Sequence, residues 1–313
     1  MSHDRLPSSD CEDPCGNGVA AADEAEGVSE DRTTSTVCEV CRNGAMVFTI
    51  AQAGVPYHEC IACGSIAAER SALPTNFAYD LTYWRREFRS TQRRSWSSSL
   101  QRAGEVFALC GVEIKSFLDI SAGRGELLDS LSALLPEISN VFHGIEPFPP
   151  PEEFRSKHAG YCVGDIASGE TKFDAGVCIE VIEHLFPDAL RTMVKALASR
   201  SNPGALYFFN SAQPDFVKEH GYEYLDPTRR GHVASYSVAG MKKLFAEENM
   251  VVHGFPARNW GFFAEYRPEG TETGETPFDR LWRPRPENLA LLGTCRFGNY
   301  FYFAGRESIR AEL

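Results

Sequence analysis

The chain has 313 residues, 43% of them hydrophobic, and a formal net charge of −12 at pH 7. This length allows one sizeable α/β core and a small accessory module. No apolar stretch is long enough to span a membrane, and the polar N-terminus lacks the apolar centre of a signal peptide, so a cytoplasmic protein is expected. The acidic balance argues against a broad nucleic-acid-binding surface.

Residues 1–36 are predicted to form a disordered acidic tail. They include nine Asp or Glu, two Arg and no aromatic residue. Such a segment cannot bury enough apolar surface to offset the entropy lost on ordering. Cys11 and Cys15 lie in this tail, and we interpret them as bystander thiols rather than as a metal site.

Four cysteines form two C-x2-C pairs, Cys38 with Cys41 and Cys60 with Cys63. A tetrahedral zinc ion needs four soft ligands, and each C-x2-C turn presents two thiolates to one ion. The spacing is typical of a zinc ribbon, which we place at 37–70. A filled four-cysteine site leaves no open position for water, so the zinc is predicted to be structural. The alternative is a set of four buried or redox-active thiols.

Residues 71–112 are predicted to form a helical linker or lid. Apolar side chains recur at steps of four and three residues, which marks one face of a helix. These side chains are Trp96, Leu100, Ala103, Phe107 and Cys110. The segment also carries Arg85, Arg86, Arg89, Arg93, Arg94 and Arg102. Arginine binds phosphate or carboxylate through paired hydrogen bonds, so the cluster suggests an anionic acceptor, with a solvated helix face as the alternative. Tyr79, Tyr83 and Trp84 are candidates to close over a cofactor or to join the core.

Strand and helix patterns alternate from Lys115 onward. The predicted strands are Lys115–Ile120, Val141–Glu146, Asp174–Ile179, Ala205–Asn210, Val251–Pro256 and Tyr300–Ala304. The predicted helices are Glu126–Leu134, Pro187–Ala198 and Val238–Glu248. Apolar strands alternating with helices predict an α/β fold with a Rossmann-like, doubly wound sheet. The last predicted strand follows a long irregular stretch and is a candidate for antiparallel addition.

A short glycine loop follows the first of these strands. The strand ends near Asp119, and Gly123 and Gly125 let the backbone approach a ligand closely. A loop of this kind is weak evidence alone, and a nicotinamide dehydrogenase is the nearest structural rival. The G-x-G-x-x-G pattern of that class requires glycine at position 128, where this chain has Leu128.

Two carboxylates follow the glycine loop in the order that a nucleoside site requires. Glu146 ends the second strand, where it can accept hydrogen bonds from both hydroxyls of a ribose. Asp165 lies in the next loop, where it can bind an adenine amino group. Alone, Glu146 could be a solvated carboxylate at a strand end and Asp165 part of a surface turn, but their order favours a nucleoside site.

The segments LDISAGRGELL, GIEP, GDIAS and FDAGVCIEVIEH occur in the order seen in class I S-adenosylmethionine-dependent methyltransferases. The chain resembles that family over about residues 115–256, which implies a methyltransferase domain at 113–313. The resemblance also implies a seven-stranded sheet with an antiparallel last strand. It places S-adenosylmethionine at the carboxyl ends of the strands.

Carried over by position, the resemblance implies a role for each residue of the loop and the two strand ends. Asp119, Gly123 and Gly125 would surround the methionine part of the cofactor. Glu146 would bind the ribose and Asp165 the adenine. The cofactor-binding set comprises these five residues with Ser121 and Glu180. Ser121 departs from the family, which usually has the first glycine of the loop at this position.

Two polar clusters supply the catalytic candidates, which are His232, His184, Glu180, Glu183 and Tyr236. Glu180 is expected to line the methyl-transfer site because it directly follows a buried strand. The segment 223–236 resembles a family segment ending in a histidine and an aromatic–serine pair, which makes His232 and Tyr236 substrate-facing candidates. His232 is the preferred general base and His184 the second choice, since histidine titrates near neutral pH. The alternative is an ordinary polar loop with Ser235 or Ser237 as a helix N-cap.

The sequence thus predicts methyl transfer from S-adenosylmethionine to a small-molecule acceptor, with a hydroxyl of a sugar or a nucleotide-linked sugar as the expected group. A zinc ribbon before this domain resembles bacterial methyltransferases associated with sugars and polysaccharides. One alternative is an RNA methyltransferase that holds RNA with the ribbon, although the negative charge disfavours nucleic acid. The other is a non-catalytic scaffold. The acceptor, the methylated atom and the oligomeric state are left open by the sequence.

Overall fold

The computed structural model describes residues 37–73, 85, 93, 95–256, 258–271 and 274–293. Several predictions fall outside these residues. They are the acidic tail with Cys11 and Cys15, the aromatic residues Tyr79, Tyr83 and Trp84, the arginines Arg86, Arg89 and Arg94, and the strand Tyr300–Ala304.

The described residues form strands and helices in the following order. The strands are β1 (Met46–Gln52), β2 (Val55–Cys60), β3 (Ile66–Ala68), β4 (Phe117–Ile120), β5 (Phe142–Glu146), β6 (Tyr161–Val163), β7 (Phe173–Ile179), β8 (Ser201–Asn210), β9 (Ala234–Ser235), β10 (Met250–Gly254) and β11 (Gly261–Tyr266). The α-helices are α1 (Ser98–Leu109), α2 (Glu126–Leu134), α3 (Pro187–Ser199), α4 (Pro214–His220), α5 (Val238–Ala246) and α6 (Pro286–Leu292). Of the helices within the described ranges, none has both the length and the apolar character needed to cross a bilayer.

The main sheet has seven strands in the order β10-β11-β8-β7-β4-β5-β6. Strand β11 is antiparallel to both of its neighbours, whereas the strands from β8 to β6 pair in parallel. This arrangement confirms the predicted Rossmann-like, doubly wound sheet with an antiparallel last strand. The antiparallel strand is Gly261–Tyr266, which the sequence pattern did not indicate, and β6 is likewise absent from the predicted strands.

Helices cover both faces of this sheet because alternate residues of the central strands face opposite cores. On one face, Leu100 and Phe107 of α1 are buried in a cluster with Phe208 of β8. On the other face, the next residue of β8, Phe209, is buried with Phe245 of α5. The long apolar strands therefore lie in the middle layer of three, and their carboxyl ends remain available for a binding site.

For two of the predicted elements, the structure shows why the element begins later than the sequence pattern predicts. Trp96 lies in a turn before α1 with 45% of its surface exposed, so the buried face of the helix starts at Leu100 and excludes Trp96. Strand β4 starts at Phe117 rather than at Lys115. The amides of Lys115 and Ser116 donate to Oδ2 of Asp174, at 2.9 and 3.0 Å, instead of extending the strand.

The N-terminal module is an antiparallel sheet in the order β1-β2-β3-β9. Its last strand comes from a distant part of the chain, because Ile66 pairs with Ser235 and Ala67 with Ala234. The ribbon sheet therefore uses residues far outside 37–70. The predicted division of the chain into domains stays a prediction.

Candidate functional site

The turn after β4 adopts the left-handed backbone conformation at three positions. Ser121, Gly123 and Gly125 have φ values of +56°, +59° and +85°. This conformation costs a residue with a side chain on the order of 1–2 kcal/mol, which explains why glycine is usual where Ser121 stands. A Cβ on Gly125 would lie 2.5 Å from the Cβ of Ser156, so this glycine also permits close packing.

Replacing Ser121 with glycine is expected to stabilise the protein by about 0.5 kcal/mol. Relief of the left-handed strain, roughly 1–2 kcal/mol, exceeds the roughly 0.5–1 kcal/mol that glycine costs through its greater freedom in the unfolded chain. Ser139→Gly is the control, because Ser139 is not among the positive-φ residues, and it should destabilise. Urea unfolding measures both changes. A loss of stability in Ser121→Gly would contradict the strain.

Glu146 joins the end of β5 to this turn. Its Oε2 accepts a hydrogen bond of 2.6 Å from the amide of Gly123, and its Oε1 accepts one of 2.7 Å from the amide of Phe148. The side chain is 5% exposed. Burial raises the pKa of Glu146, and the two amide hydrogen bonds oppose that shift. Tyr161 donates from its hydroxyl to the carbonyl of Gly123 at 2.6 Å, which fixes the turn from its other side.

A cleft of about 550 Å³ opens over the turn, and this volume is within the range of small-molecule sites. Six predicted cofactor-binding residues line it, namely Asp119, Ser121, Gly123, Glu146, Asp165 and Glu180. Gly125 does not line it and packs against Ser156 and Tyr161. Burial, followed by the charges of Glu146 and Glu126, raises the pKa of Asp119 well above its usual range. A cationic group in the cleft would therefore find a favourable partner in Asp119.

Glu180 lies at the end of β7 and has a φ of +56°, a strained conformation of the kind that occurs at functional sites. Its amide donates to the carbonyl of Asn210 at 2.9 Å, and its Oε1 accepts from Nδ2 of Asn210 at 2.7 Å. Oδ1 of Asn210 in turn accepts from Nε of Arg102 at 3.3 Å. Asn210 was not a sequence candidate, because only the sheet places the end of β8 beside the end of β7.

The arginine cluster divides into exposed and buried members. Arg85 and Arg93 are exposed, whereas Arg102 is buried. The guanidinium of Arg102 lies 3.0 Å from Glu105 and 3.9 Å from the centroid of the Trp260 ring. Burial lowers the pKa of Arg102. Arg102 is therefore not part of a solvated helix face. Its hydrogen bond to Asn210, which in turn bonds to Glu180, supports the position of Glu180 at the cleft.

A second group of polar side chains lies beside Glu180 and consists of Glu183, His184 and His232, here called the Glu–His–His cluster. Nε2 of His232 is 3.9 Å from Oε1 of Glu183, and the two imidazole rings meet edge to face at 4.8 Å. Burial raises the pKa of Glu183 to about 7, a shift that nearby polar groups including Ser211 and Tyr224 oppose. Burial and the neighbouring His184 lower the pKa of His232 to about 3, so this histidine is neutral.

The substrate-facing position expected for His232 and Tyr236 differs from the one observed. His184 lines the cleft, but His232 and Tyr236 do not. His232 is 5% exposed, and Tyr236 is buried with its hydroxyl donating to the carbonyl of Leu185 at 2.5 Å. Both therefore lie one layer behind the cleft wall, because Leu185 and His184 occupy the wall itself. Their catalytic roles stay predictions.

The four ribbon cysteines converge as a zinc site requires. Their Sγ atoms all lie within 4.8 Å of one another, with Cys38 3.9 Å from Cys63 and Cys41 3.6 Å from Cys60. A zinc–sulfur distance of about 2.3 Å in a tetrahedron places the sulfurs roughly 3.8 Å apart, so the set fits. All four are buried and none is in a disulfide.

The backbone around these cysteines is adapted to a thiolate cluster. The amide of Cys63 points to Sγ of Cys60 at 3.4 Å, as amides do around metal-bound sulfur. A Cβ on Gly44 would lie 2.5 Å from the same sulfur, so only glycine fits there. These observations favour a metal site over four independent buried thiols.

Hydrogen bonds tie the ribbon to the segment that carries His232. Tyr57 donates from its hydroxyl to the carbonyl of His232 at 2.6 Å. The amide of Ala68 donates to the carbonyl of Val233 at 2.8 Å. Ser237 donates to the carbonyl of Cys63 and also caps α5 by accepting from the amide of Gly240 at 2.9 Å. Ser237 is thus the helix N-cap that the sequence offered as an alternative, and it also contacts the ribbon.

Comparisons with known proteins found one family profile and a set of similar solved structures. A profile described as a methyltransferase domain matches residues 86–253, more than half of the chain. No curated protein matches the sequence. Among solved structures, an amino pentose methyltransferase from Micromonospora echinaspora is 15% identical, with coverage of 62% of this chain and 100% of that one and a TM-score of 0.44. A sugar N-methyltransferase from Streptoalloteichus is 14% identical, with coverage of 64% and 99% and a TM-score of 0.45. A putative methyltransferase in complex with the Trm112 activator of Haloferax volcanii is 14% identical, with coverage of 62% and 100% and a TM-score of 0.44.

The prediction of a methyltransferase is confirmed by the profile match, which begins before α1 and ends in β10. That span contains every predicted cofactor-binding residue and both polar clusters. The protein therefore belongs to the methyltransferase domain family and is a methyltransferase.

Proposed function

We propose that the protein transfers a methyl group to a hydroxyl of a sugar or of a nucleotide-linked sugar. The proposal rests on one cleft that is lined by two different groups of polar side chains. Carboxylates at the ends of β4 and β5 suit the cofactor, while Glu180, His184 and the hydroxyls of Ser95 and Ser99 suit a hydroxyl-bearing acceptor. This set offers several donors and acceptors without a strong cationic charge.

On the cofactor side, we assign Glu146 to the ribose, Asp165 to the adenine and Asp119 to the methionine part. The fit rests on the contact of the Gly123 amide with Glu146, which brings the turn and the ribose carboxylate together. Asp165 is exposed at the cleft, where Oδ1 accepts from the amide of Ala167 at 2.8 Å. S-adenosylmethionine, when bound, supplies a methyl carbon made electrophilic by the adjacent sulfonium.

On the acceptor side, we assign Glu180 and His184 to the hydroxyl that receives the methyl group. Holding that oxygen in line and excluding water supplies most of the acceleration for an already activated methyl. Loss of the hydroxyl proton is assigned to the Glu–His–His cluster, of which His184 is the member that lines the cleft. We further propose that the four ribbon cysteines bind a structural zinc ion.

The two rival functions have less support. Among the described residues, the charged side chains along the cleft are five carboxylates, Asp119, Glu126, Glu146, Asp165 and Glu180, and one arginine, Arg124. This part of the cleft therefore lacks the series of Lys and Arg contacts with which a protein holds the long phosphate backbone of RNA. A protein that served only as a scaffold would not require the strained backbone conformation of Glu180, which lines the cleft.

An assay with methyl-labelled S-adenosylmethionine tests the proposal. The purified protein is offered free sugars, sugar nucleotides and structured RNA, and transfer of label is measured. We expect label on a sugar or sugar nucleotide and none on RNA. Label only on RNA, or cofactor binding without transfer to any sugar, would overturn the proposed acceptor. Absence of cofactor binding in calorimetry would overturn the activity itself.

Replacing Glu146 with glutamine is expected to weaken binding of S-adenosylhomocysteine by about 10–100-fold. The variant loses charge-assisted hydrogen bonds, worth about 1.5–3 kcal/mol each, and turns an amide N–H toward Gly123 or Phe148. Glu126→Gln is the matched control, because Glu126 also lines the cleft but pairs with Arg124 at 3.5 Å. Calorimetry measures both affinities. Equal losses in the two variants would argue against a ribose contact at Glu146.

A further inference from the structure

We propose that the Glu–His–His cluster binds a divalent first-row transition-metal ion on the acceptor side of the cleft. Glu183, His184 and His232 each present one ligand atom, and these atoms lie within 4.8 Å of one another. Metal ligands at about 2.1 Å from one ion lie roughly 3–4 Å apart. The cluster therefore needs only small side-chain movements to coordinate an ion.

Glu183 is the first observation that points to a cation. Its side chain is 0% exposed, and in the part of the chain that the structure describes neither carboxyl oxygen makes a hydrogen bond of normal geometry, although the hydroxyls of Ser211 and Tyr224 lie nearby. Burying an ionised carboxylate without such partners is costly, and those that stay ionised are paired with a cation or coordinate a metal. Nε2 of His232 lies 3.9 Å from Oε1 of Glu183, which is too far for a hydrogen bond but close enough for both atoms to bind one ion after a small movement.

The orientation of the two imidazoles is the second observation. Nδ1 of His232 lies 2.7 Å from the carbonyl of Tyr224, and Nδ1 of His184 lies 3.1 Å from the carbonyl of Gly231. A carbonyl oxygen only accepts, so each Nδ1 carries a proton, and in the neutral imidazole the lone pair is then on Nε2. Metal-binding histidines are held in the same way, with one nitrogen donating to a carbonyl or carboxylate and the other on the metal.

The ligand set selects the class of ion. Two imidazole nitrogens and one carboxylate suit Mn²⁺, Fe²⁺, Co²⁺, Ni²⁺ or Zn²⁺, whereas Ca²⁺ and Mg²⁺ prefer an all-oxygen shell. Three protein ligands also leave coordination positions open. His184 lines the cleft, so those positions face the space assigned to the acceptor. An ion there would hold an acceptor oxygen and favour its loss of a proton, a role that rests on the proposed function.

The test is a titration of the protein, with its ribbon cysteines loaded with zinc, using Mn²⁺ and detecting free Mn²⁺ by electron paramagnetic resonance. We expect one Mn²⁺ per chain. Glu183→Gln and His232→Asn should each weaken binding by about tenfold or more. The asparagine keeps the donor to Tyr224 and removes Nε2. His253→Asn is the matched control, because Nε2 of His253 lies 3.8 Å from Glu265 without a second imidazole ligand in the described residues.

Either of two results would overturn the site: no binding of Mn²⁺ or Co²⁺ by the wild-type protein, or equal binding by the wild type and the cluster variants. Circular dichroism and binding of S-adenosylhomocysteine verify that each variant is folded. If Glu183→Gln does not fold, His184→Asn at the cleft wall provides the same test. Metal binding without sugar methylation would overturn only the proposed acceptor, whereas sugar methylation without metal binding would overturn only the metal site.

Discussion

Replacing Cys60 with serine is expected to release zinc from the ribbon and to reduce methyl transfer strongly, although no residue from 37 to 73 lines the cleft. A unit of fewer than about 40 residues rarely folds without a metal or disulfides. Zinc binding to a structural site supplies about 10–16 kcal/mol in small zinc modules, so its loss is expected to unfold strands β1 to β3. The ribbon would then no longer support its neighbours.

The loss of turnover follows from where the ribbon is attached. Strand β3 pairs with β9, and Tyr57 donates to the carbonyl of His232. When the ribbon unfolds, the segment that fixes His232 loses these partners, whereas the contact between Gly123 and Glu146 lies elsewhere and is retained. Turnover should therefore fall much more than the affinity for S-adenosylhomocysteine.

Zinc content, thermal unfolding, cofactor affinity and turnover are measured together for this variant. Cys162→Ser is the control, because Cys162 is exposed on β6 and outside the ribbon, and it should leave all four unchanged. Normal zinc content in Cys60→Ser, or full turnover in the zinc-free protein, would contradict a structural zinc site that supports the His232 segment.

The sequence pattern located residues well where their positions depend on local structure. The glycine turn, Glu146 and Asp165 each lie at a strand end, and the parallel order of strands brings such ends to one edge. The paired cysteines likewise lie in short turns that carry their own geometry. In these places a few neighbouring residues determine both the local structure and its chemistry.

Reasoning from the sequence failed where partners are distant along the chain. The pairing of β3 with β9 and the link from Asn210 to Glu180 depend on three-dimensional packing that no local spacing encodes. Strand β11 was missed because its six-residue run, GFFAEY, is short, and a short apolar run does not by itself distinguish a strand from a buried helix segment. His232 was expected to face the substrate but lies buried beside His184, since burial cannot be read from a polar loop.

Replacing His232 with asparagine is expected to lower turnover by about 10²–10⁴-fold with cofactor affinity unchanged, because the cluster that assists loss of the acceptor proton then lacks Nε2 of His232. The asparagine amide can still donate to the carbonyl of Tyr224, so the local fold is preserved while Nε2 is lost. His253→Asn, made at a histidine outside the cleft, should retain turnover. Wild-type turnover in His232→Asn would show that the cluster is structural.

A double variant decides whether His184 and His232 act together. Their rings are in contact, and Glu183 lies beside them, so the three are expected to function as one unit. Removing either histidine should then cost nearly as much turnover as removing both, because residues that act as a unit are strongly non-additive. Losses that multiply in the double variant would instead assign the two histidines separate roles, with His184 at the acceptor and His232 only supporting the fold.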